Sequence, residues 1–278
     1  MVTEQVGGVM GKTMGTVDKA LHLLTFFTIS RPEWGLSDLA RSSGHDKATV
    51  LRLLGSLMNG GFIEKDETAK TFRLGAAVLR LARIRETSFP FVSLAKMTAD
   101  RLSEDIQETV HVCLPEADAL MTVYVNEPQR ATRVYVDPSQ ALPFHATASG
   151  LAFLAFAGAE MTDAAMAQDE LEKHTEHTIT DRTALADKLA EIRAAAYAVS
   201  SSSFELETVG IASPIFDAAG HATATVAAAC MASRMTPDLE RHISTAVIGA
   251  AVEITRALGG ELPDEFAGAW DHAAKTTA

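Results

Sequence analysis

Cysteine is nearly absent from this chain: Cys113 and Cys230 are the only two. Both lie in apolar runs, so reduced, buried thiols are expected rather than a disulfide. No apolar run reaches the roughly 18 residues needed to cross a bilayer, and the opening MVTEQVGGVMGKTMG lacks a signal peptide's apolar core. The expected location is the cytoplasm, without membrane contact. Catalytic signatures are missing too, with no G-x-S-x-G elbow, phosphate loop or Rossmann glycine fingerprint. Neither an enzyme, a cofactor nor a metal is expected.

Positive charge is also short. The net charge of −12 reads against a nucleic-acid partner until it is divided along the chain. Residues 11–75 hold nine Lys/Arg and seven Asp/Glu, a balance of +2, whereas residues 76–278 hold fifteen and twenty-eight, a balance of −13. The acidity belongs to the second part, and a head that is slightly cationic precedes it.

Within that head the stretch Ser37–Arg73 has the pattern of a winged helix-turn-helix. Ser37 is placed to cap a short helix with Leu39 and Ala40 on its buried side, and Gly44 ends it. Asp46 is the expected cap of a second helix, whose Val50, Leu53, Leu54, Leu57 and Met58 form an inward stripe. Its other face carries Lys47, Thr49, Arg52 and Ser56, groups that reach phosphates and base edges from a major groove. After Asn59-Gly60-Gly61, the runs Phe62–Lys65 and Lys70–Arg73 read as a hairpin, the wing. On spacing alone the pattern equally fits a small helical subdomain with a solvated polar face. Ahead of it, residues 1–12 read as a mobile arm, and Thr16 as the cap of a helix with an apolar stripe of Val17, Ala20, Leu21, Leu24 and Phe27. Trp34 reads as a packing residue.

Beyond the wing, Ala76 to Ser88 reads as a connecting helix whose arginines Arg80, Arg83 and Arg85 chiefly solvate it. A further helix with Phe91, Leu94, Met97, Ala99 and Leu102 facing inward ends near Ile106. Then the period changes to two: Thr109–Leu114, Ala119–Asn126 and Arg130–Asp137 read as an antiparallel meander. His111 and Cys113 alternate on the first of these strands and share a face. That permits a nucleophile and base, although packing is the commoner role of such neighbours.

The run from Leu142 to Ala155 feeds a helix of small apolar residues that must be buried. Its start offers free N–H groups beside Thr147 and Ser149, which suits a carboxylate or other oxygen-rich ligand, and equally suits ordinary capping. Residues 160–196 read as helical, with Leu185, Leu189 and Ile192 on one face; His174 and His177 lack a third ligand for a metal. Ser200–Ser203 lie between strands and can line a pocket mouth. Strands Ile211–Phe216 and Ala222–Met231 follow, then a helix capped at Thr236 that runs to Leu258 and Gly259-Gly260, then a loosely held tail.

Three segments carry a resemblance: DKATVLRLLGSLMNGGFIE, PFHATASGLAFLA and FELETVGIASPIFDAAGHATATVAAA. In this order they resemble the IclR family of bacterial transcription regulators, over about Thr16 to Gly260. The resemblance implies an α+β chain: a winged helix-turn-helix at 13–75, a linker helix at 76–89 that mediates dimerisation, and a GAF-like α/β effector-binding domain at 90–260, with 261–278 a loosely ordered tail. It implies double-stranded operator DNA as a partner, contacted by Ser37, Lys47, Thr49, Arg52 and Lys70, and a homodimer or dimer of dimers. A small-molecule effector is implied at Ala146, Thr147, Ser149, Gly150, Ser200, Ser201, Ser202 and Ser213, above a floor that includes His111 and Cys113. The chain departs from the family at Leu151, where a lysine is frequent, and at Glu207, where many members carry glycine. It also departs at Ser200–Ser203, in place of acidic residues, and at Gly210. A hydroxyl-rich, uncharged pocket puts zinc in doubt and fits a small carboxylate, aldehyde or lactone. The expected role is a repressor of a catabolic operon; the alternative is an enzyme using Cys113 and His111.

Overall fold

The computed structural model describes residues 15–88, 90–167 and 170–276, and its contacts divide the chain into two compact units on either side of Pro90. The arm expected over residues 1–12 lies outside the described residues. Among the described residues no helix is long and apolar enough to cross a membrane.

The first unit runs α1 (Thr16–Leu24), β1 (Glu33–Gly35), α2 (Leu36–Ser43), α3 (Lys47–Asn59), β2 (Ile63–Asp66), β3 (Thr71–Leu74) and α4 (Ala76–Ser88). Its strands form an antiparallel sheet in the order β1-β3-β2. Leu23, Trp34, Leu39, Val50, Leu53, Leu54, Leu57, Ile63 and Phe72 close one core between helices and sheet. Each such side chain contributes about 1.5–3 kcal/mol by leaving water. Trp34 packs there and donates its indole N–H to the Phe26 carbonyl at 2.7 Å.

Several local expectations need correction. Ser37 does not cap α2: the extended Gly35 is the N-cap, because β1 pairs with β3 and delivers the chain into the helix before Ser37, which lies exposed in the first turn. Thr16 does not cap α1 either; Gly15 does, its N–H donating to Asp18 at 2.9 Å. The buried anchor of α1 is Leu23, while Val17 and Leu21 face outward. Met58 is exposed, beyond the last inward turn of α3. Along α4 only Ala77 is buried, and Leu79, Leu81 and Ile84 are exposed.

The second unit runs α5 (Phe91–Ile106), β4 (Thr109–Glu116), β5 (Ala119–Asn126), β6 (Leu142–Pro143), α6 (Ala148–Phe156), α7 (Ala159–Met166) and α8 (Arg182–Ala195). It continues with β7 (Ala198–Ser201), β8 (Thr208–Phe216), β9 (Ala222–Met231), α9 (Pro237–Ala257) and α10 (Asp264–Thr276). Its antiparallel sheet has the order β6-β5-β4-β9-β8-β7. Period-two alternation sorts the strand residues between two cores. Val110, Val112, Ile211, Val226 and Ala228 pack with α5 and α9, and Cys113, Ala212, Phe216 and Ala227 pack with α6 and α8.

Helix α5 turns Met97 outward and buries Ala95 and Thr98 beside the expected Ala99, since small residues let the helix approach its neighbours closely. The strand expected at Arg130–Asp137 is not formed: β4 is already flanked by β5 and β9, and β6 takes the outer edge of β5. The segment is held by side chains, with Thr109 Oγ1 donating to the Val134 carbonyl at 2.7 Å and Arg234 to the Thr132 carbonyl at 2.9 Å. Arg234 also pairs with Glu108, whose side chain is 1% exposed and which lies 3.7 Å from Arg130. A buried carboxylate demands such partners. The loose tail is overturned as well. Residues 264–276 form α10, and Phe266 is fully buried against Phe216 and Phe156 at ring-centroid distances of 4.9 and 5.6 Å.

Candidate functional site

Each unit presents one distinctive feature, and both lie at the start of a helix. In the first unit Asp46 accepts the Thr49 N–H at 2.9 Å and the Thr49 hydroxyl at 2.7 Å, which holds its carboxyl below the usual carboxylate range. Lys47, Arg52 and Ser56 stand exposed on the outer face of α3, and neither Lys47 nor Arg52 forms an ion pair among the described residues. Thr49 is half-buried, and its hydroxyl proton serves the cap. Lys70 is exposed in the β2–β3 turn at φ +56°, after Asp66 accepts the N–H groups of Thr68 and Ala69. Sequence reasoning passed over Ala48 and Leu51, which are exposed on the same helix. Their positions off the inward stripe were the available signal.

In the second unit α6 is buried all round, as its composition required. Thr147 caps it, accepting the Gly150 N–H at 3.0 Å while donating to the Pro143 carbonyl at 3.0 Å. Gly150 is obligatory, because a Cβ there would sit 2.4 Å from backbone atoms of Phe144. The Ala148 and Ser149 N–H groups have no acceptor among the described residues. They border a cavity of about 80 Å³ that is also lined by His111, Ser200, Gly210, Ala227 and Ala229 from the sheet and by Tyr135, Asp137, Gln140, Ser203, Phe204 and Glu205 from irregular segments.

His111 lies on the floor of this cavity, 6% exposed, its Nε2 3.3 Å from Ser149 Oγ and its Nδ1 buried without a partner. Burial pushes the imidazole down to about 4, so it is neutral at pH 7. A buried polar nitrogen without a partner is uncommon in a folded chain, which sets this histidine apart from the packing residues around it. Asp137 and Glu205 are the charged lining residues, and no Lys or Arg accompanies them. Ser139 donates twice to Asp137, from its N–H at 2.9 Å and its hydroxyl at 2.6 Å, and lowers that carboxyl below its ordinary range.

Of the expected pocket residues, His111, Thr147, Ser149 and Ser200 line the cavity, and the others do not. Ala146 contributes its carbonyl to the Ser200 hydroxyl at 3.0 Å, and Gly150 its packing. Ser213 is fully buried, donating to the Ala196 carbonyl at 2.9 Å. Ser201 is exposed and Ser202 sits at φ +54°, while Ser203 takes the place expected of them. Glu207, where the resemblance expects glycine, holds φ +63°, a left-handed backbone that favours glycine.

Cys113 is buried outside the lining, with Sγ 3.6 Å from Thr122 Oγ1, and burial pushes the thiol up to about 11. Such a thiol is protonated at neutral pH and is a poor nucleophile, which removes the chemistry from the Cys113/His111 alternative. A larger hollow of about 270 Å³ lies beside Pro143, Phe144 and His145 and shares no lining residue with the first. Its His145 is already engaged through Nε2 by the Glu172 carbonyl at 2.9 Å. His174 and His177 gather no third ligand, and the described residues contain no cluster of three metal-ligating side chains.

Comparison with known proteins agrees with this division. Residues 16–67 match the IclR helix-turn-helix domain, and residues 87–256 match the bacterial transcriptional regulator IclR C-terminal domain. The chain is 27% identical to the DNA-binding transcriptional repressor YiaJ of Escherichia coli, over 83% of each protein. It superposes on the crystal structure of an IclR transcriptional regulator from Silicibacter sp. TM1040 with a TM-score of 0.81 and 42% identity, covering 91% of this chain and 99% of that one. An IclR homologue from Microbacterium hydrocarbonoxydans, complexed with 4-hydroxybenzoate, shares the fold at a TM-score of 0.76 and 23% identity, over 88% of this chain and 99% of that one. A helix-turn-helix with an unencumbered polar face and an α/β unit with a cavity under a buried helix are thus the two parts that this match spans, and the chain belongs to the IclR family of bacterial transcriptional regulators.

Proposed function

We infer that the chain is a cytoplasmic repressor of a catabolic operon, released from its operator by a small carboxylate, aldehyde or lactone. The carrying observation is the cavity beneath α6, lined by Ala148 and Ser149, whose N–H groups have no acceptor among the described residues, and by the buried His111. The Microbacterium homologue's 4-hydroxybenzoate supports a small acid as effector. The cavity opens to solvent on one side, and its volume of about 80 Å³ accommodates the few heavy atoms of a small acid.

On the DNA side Lys47, Arg52 and Lys70 supply exposed cations and Ser37 an exposed hydroxyl, with Thr49 fixing the start of the reading helix. A homodimer, or a dimer of dimers, is supported by the exposed Leu79, Leu81 and Ile84 of α4. Decisive release requires the effector to favour one state by about 5.5 kcal/mol, shared among the sites of the oligomer.

The test is a gel-shift titration on DNA upstream of the neighbouring genes. Arg52→Ala is expected to weaken binding about ten- to a hundredfold with the Tm unchanged, as loss of a base contact requires. Unchanged affinity would remove Arg52 from the reading face.

A further inference from the structure

We propose that the ligand of this cavity is a small monocarboxylate bearing its own hydrogen-bond donor, a hydroxyl or ammonium group close to the carboxylate. The inference rests on the reading of the cavity as the effector site. It comes from the cavity's two unlike ends. The buried end gathers the free N–H groups of Ala148 and Ser149, and so seeks an acceptor; His111, whose Nδ1 has no partner among the described residues, lines the same cavity and adds a donor there in its Nδ1–H tautomer. The exposed side holds Asp137, half-buried, and Glu205, exposed. Both donors that Asp137 receives from Ser139 fall on Oδ1, which leaves Oδ2 without one, and Glu205 has no donor among the described residues. Solvent supplies donors to those oxygens, so a ligand that covers them must bring a donor in its place.

Three classes of ligand are separated by this arrangement. A dicarboxylate would bring a second negative charge to two carboxylates that no Lys or Arg of the lining offsets. A plain monocarboxylate would shield Asp137 from water and give it nothing in return, and a site built to receive a donor rejects the analogue that lacks it. A hydroxy or amino acid satisfies both ends. With about 80 Å³ to fill, the donor belongs within a few bonds of the carboxylate.

Isothermal titration of the full-length protein with lactate, alanine, propionate and succinate tests this. Lactate or alanine is expected to bind at least about tenfold more tightly than propionate, and succinate most weakly, a tenfold step being about 1.4 kcal/mol. Which of lactate and alanine is preferred identifies the donor. Asp137→Asn is expected to bring lactate or alanine to within about threefold of propionate. Propionate or succinate binding as tightly as both donor-bearing acids would overturn the proposal, and so would failure of both lactate and alanine to bind at millimolar concentration.

Blocking the cavity separates this from failure of the underlying reading. Ser149→Leu closes the buried end and Ser203→Phe the exposed side, and either variant, if its Tm shows it folded, is expected to abolish binding. Undiminished binding to a folded blocked variant would place the ligand elsewhere and overturn the cavity reading itself.

Discussion

Helix α3 begins at Asp46, whose carboxylate accepts the Thr49 N–H at 2.9 Å, and helix α6 begins at Thr147, whose hydroxyl accepts the Gly150 N–H at 3.0 Å. The local device is shared, but the surroundings differ. Helix α3 buries Val50, Leu53, Leu54 and Leu57 and leaves the rest of its circumference in water, so its flank is available to another molecule. All nine residues of α6 are buried, so the first turn is what it offers to a visitor. Position of function along a helix therefore follows from how much of its circumference the core consumes.

The sharpest way to break this comparison is at glycine. Gly150→Ala forces a methyl into the Phe144 backbone and is expected to cost about 3 kcal/mol or more in chemical denaturation. A loss below about 1 kcal/mol would show that the start of α6 can shift.

Acid should separate the two helices next. The folded chain keeps His111 neutral to about pH 4, whereas the unfolded chain protonates it near 6.5. The unfolded state thus binds more protons in that window. The His111 contribution is full above pH 6.5 and falls as the pH drops toward 4, by about 2 kcal/mol between pH 7 and pH 5. His111→Gln is expected to flatten this part of the stability profile of the second unit; an unchanged slope would assign the loss to other groups.

The caps themselves come third. Thr147→Ala removes a buried hydroxyl, leaving the Gly150 N–H and the Pro143 carbonyl without it, and is expected to cost about 1 to 2 kcal/mol. Asp46→Ala, at an exposed site, is expected to lower the Tm less; the reverse order would reject burial as the deciding factor. The smallest effect has the opposite sign. Gly55 lies mid-helix in α3 with nothing within 4 Å of an added Cβ, and Gly55→Ala is expected to stabilise by about 0.5 to 1 kcal/mol.

Helices were legible wherever their own residues declared which side is buried. The stripe of α3 and the uniform apolarity of α6 are properties of a few consecutive side chains, and both reappear in the structure. Helix α10 was not legible, because Phe266 finds its reason in Phe156 and Phe216, far away along the chain. The segment Arg130–Asp137 alternates like a strand but has no free strand edge to join, a fact that resides in the sheet order. Local hydroxyls misled at Ser37 and Thr16, where glycines ahead of them start the helices. At the cavity, Ser149 is legible from its place at the start of α6, and His111 as a floor residue from the family resemblance. Asp137, Gln140 and Glu205 were missed because irregular backbone carries no period to read.

The tight seat of Gly150 on the Phe144 backbone has an evolutionary consequence. Because the first turn of α6 is wedged in place, and with the cavity read as the proposed effector site, a relative acquiring a new ligand has little freedom to redraw that end of it. Retuning must run through Tyr135, Gln140 and Glu205, on stretches that tolerate exchange. Diversity of chemical response among such sensors should therefore concentrate in their least regular segments, with the anchoring turn left unaltered.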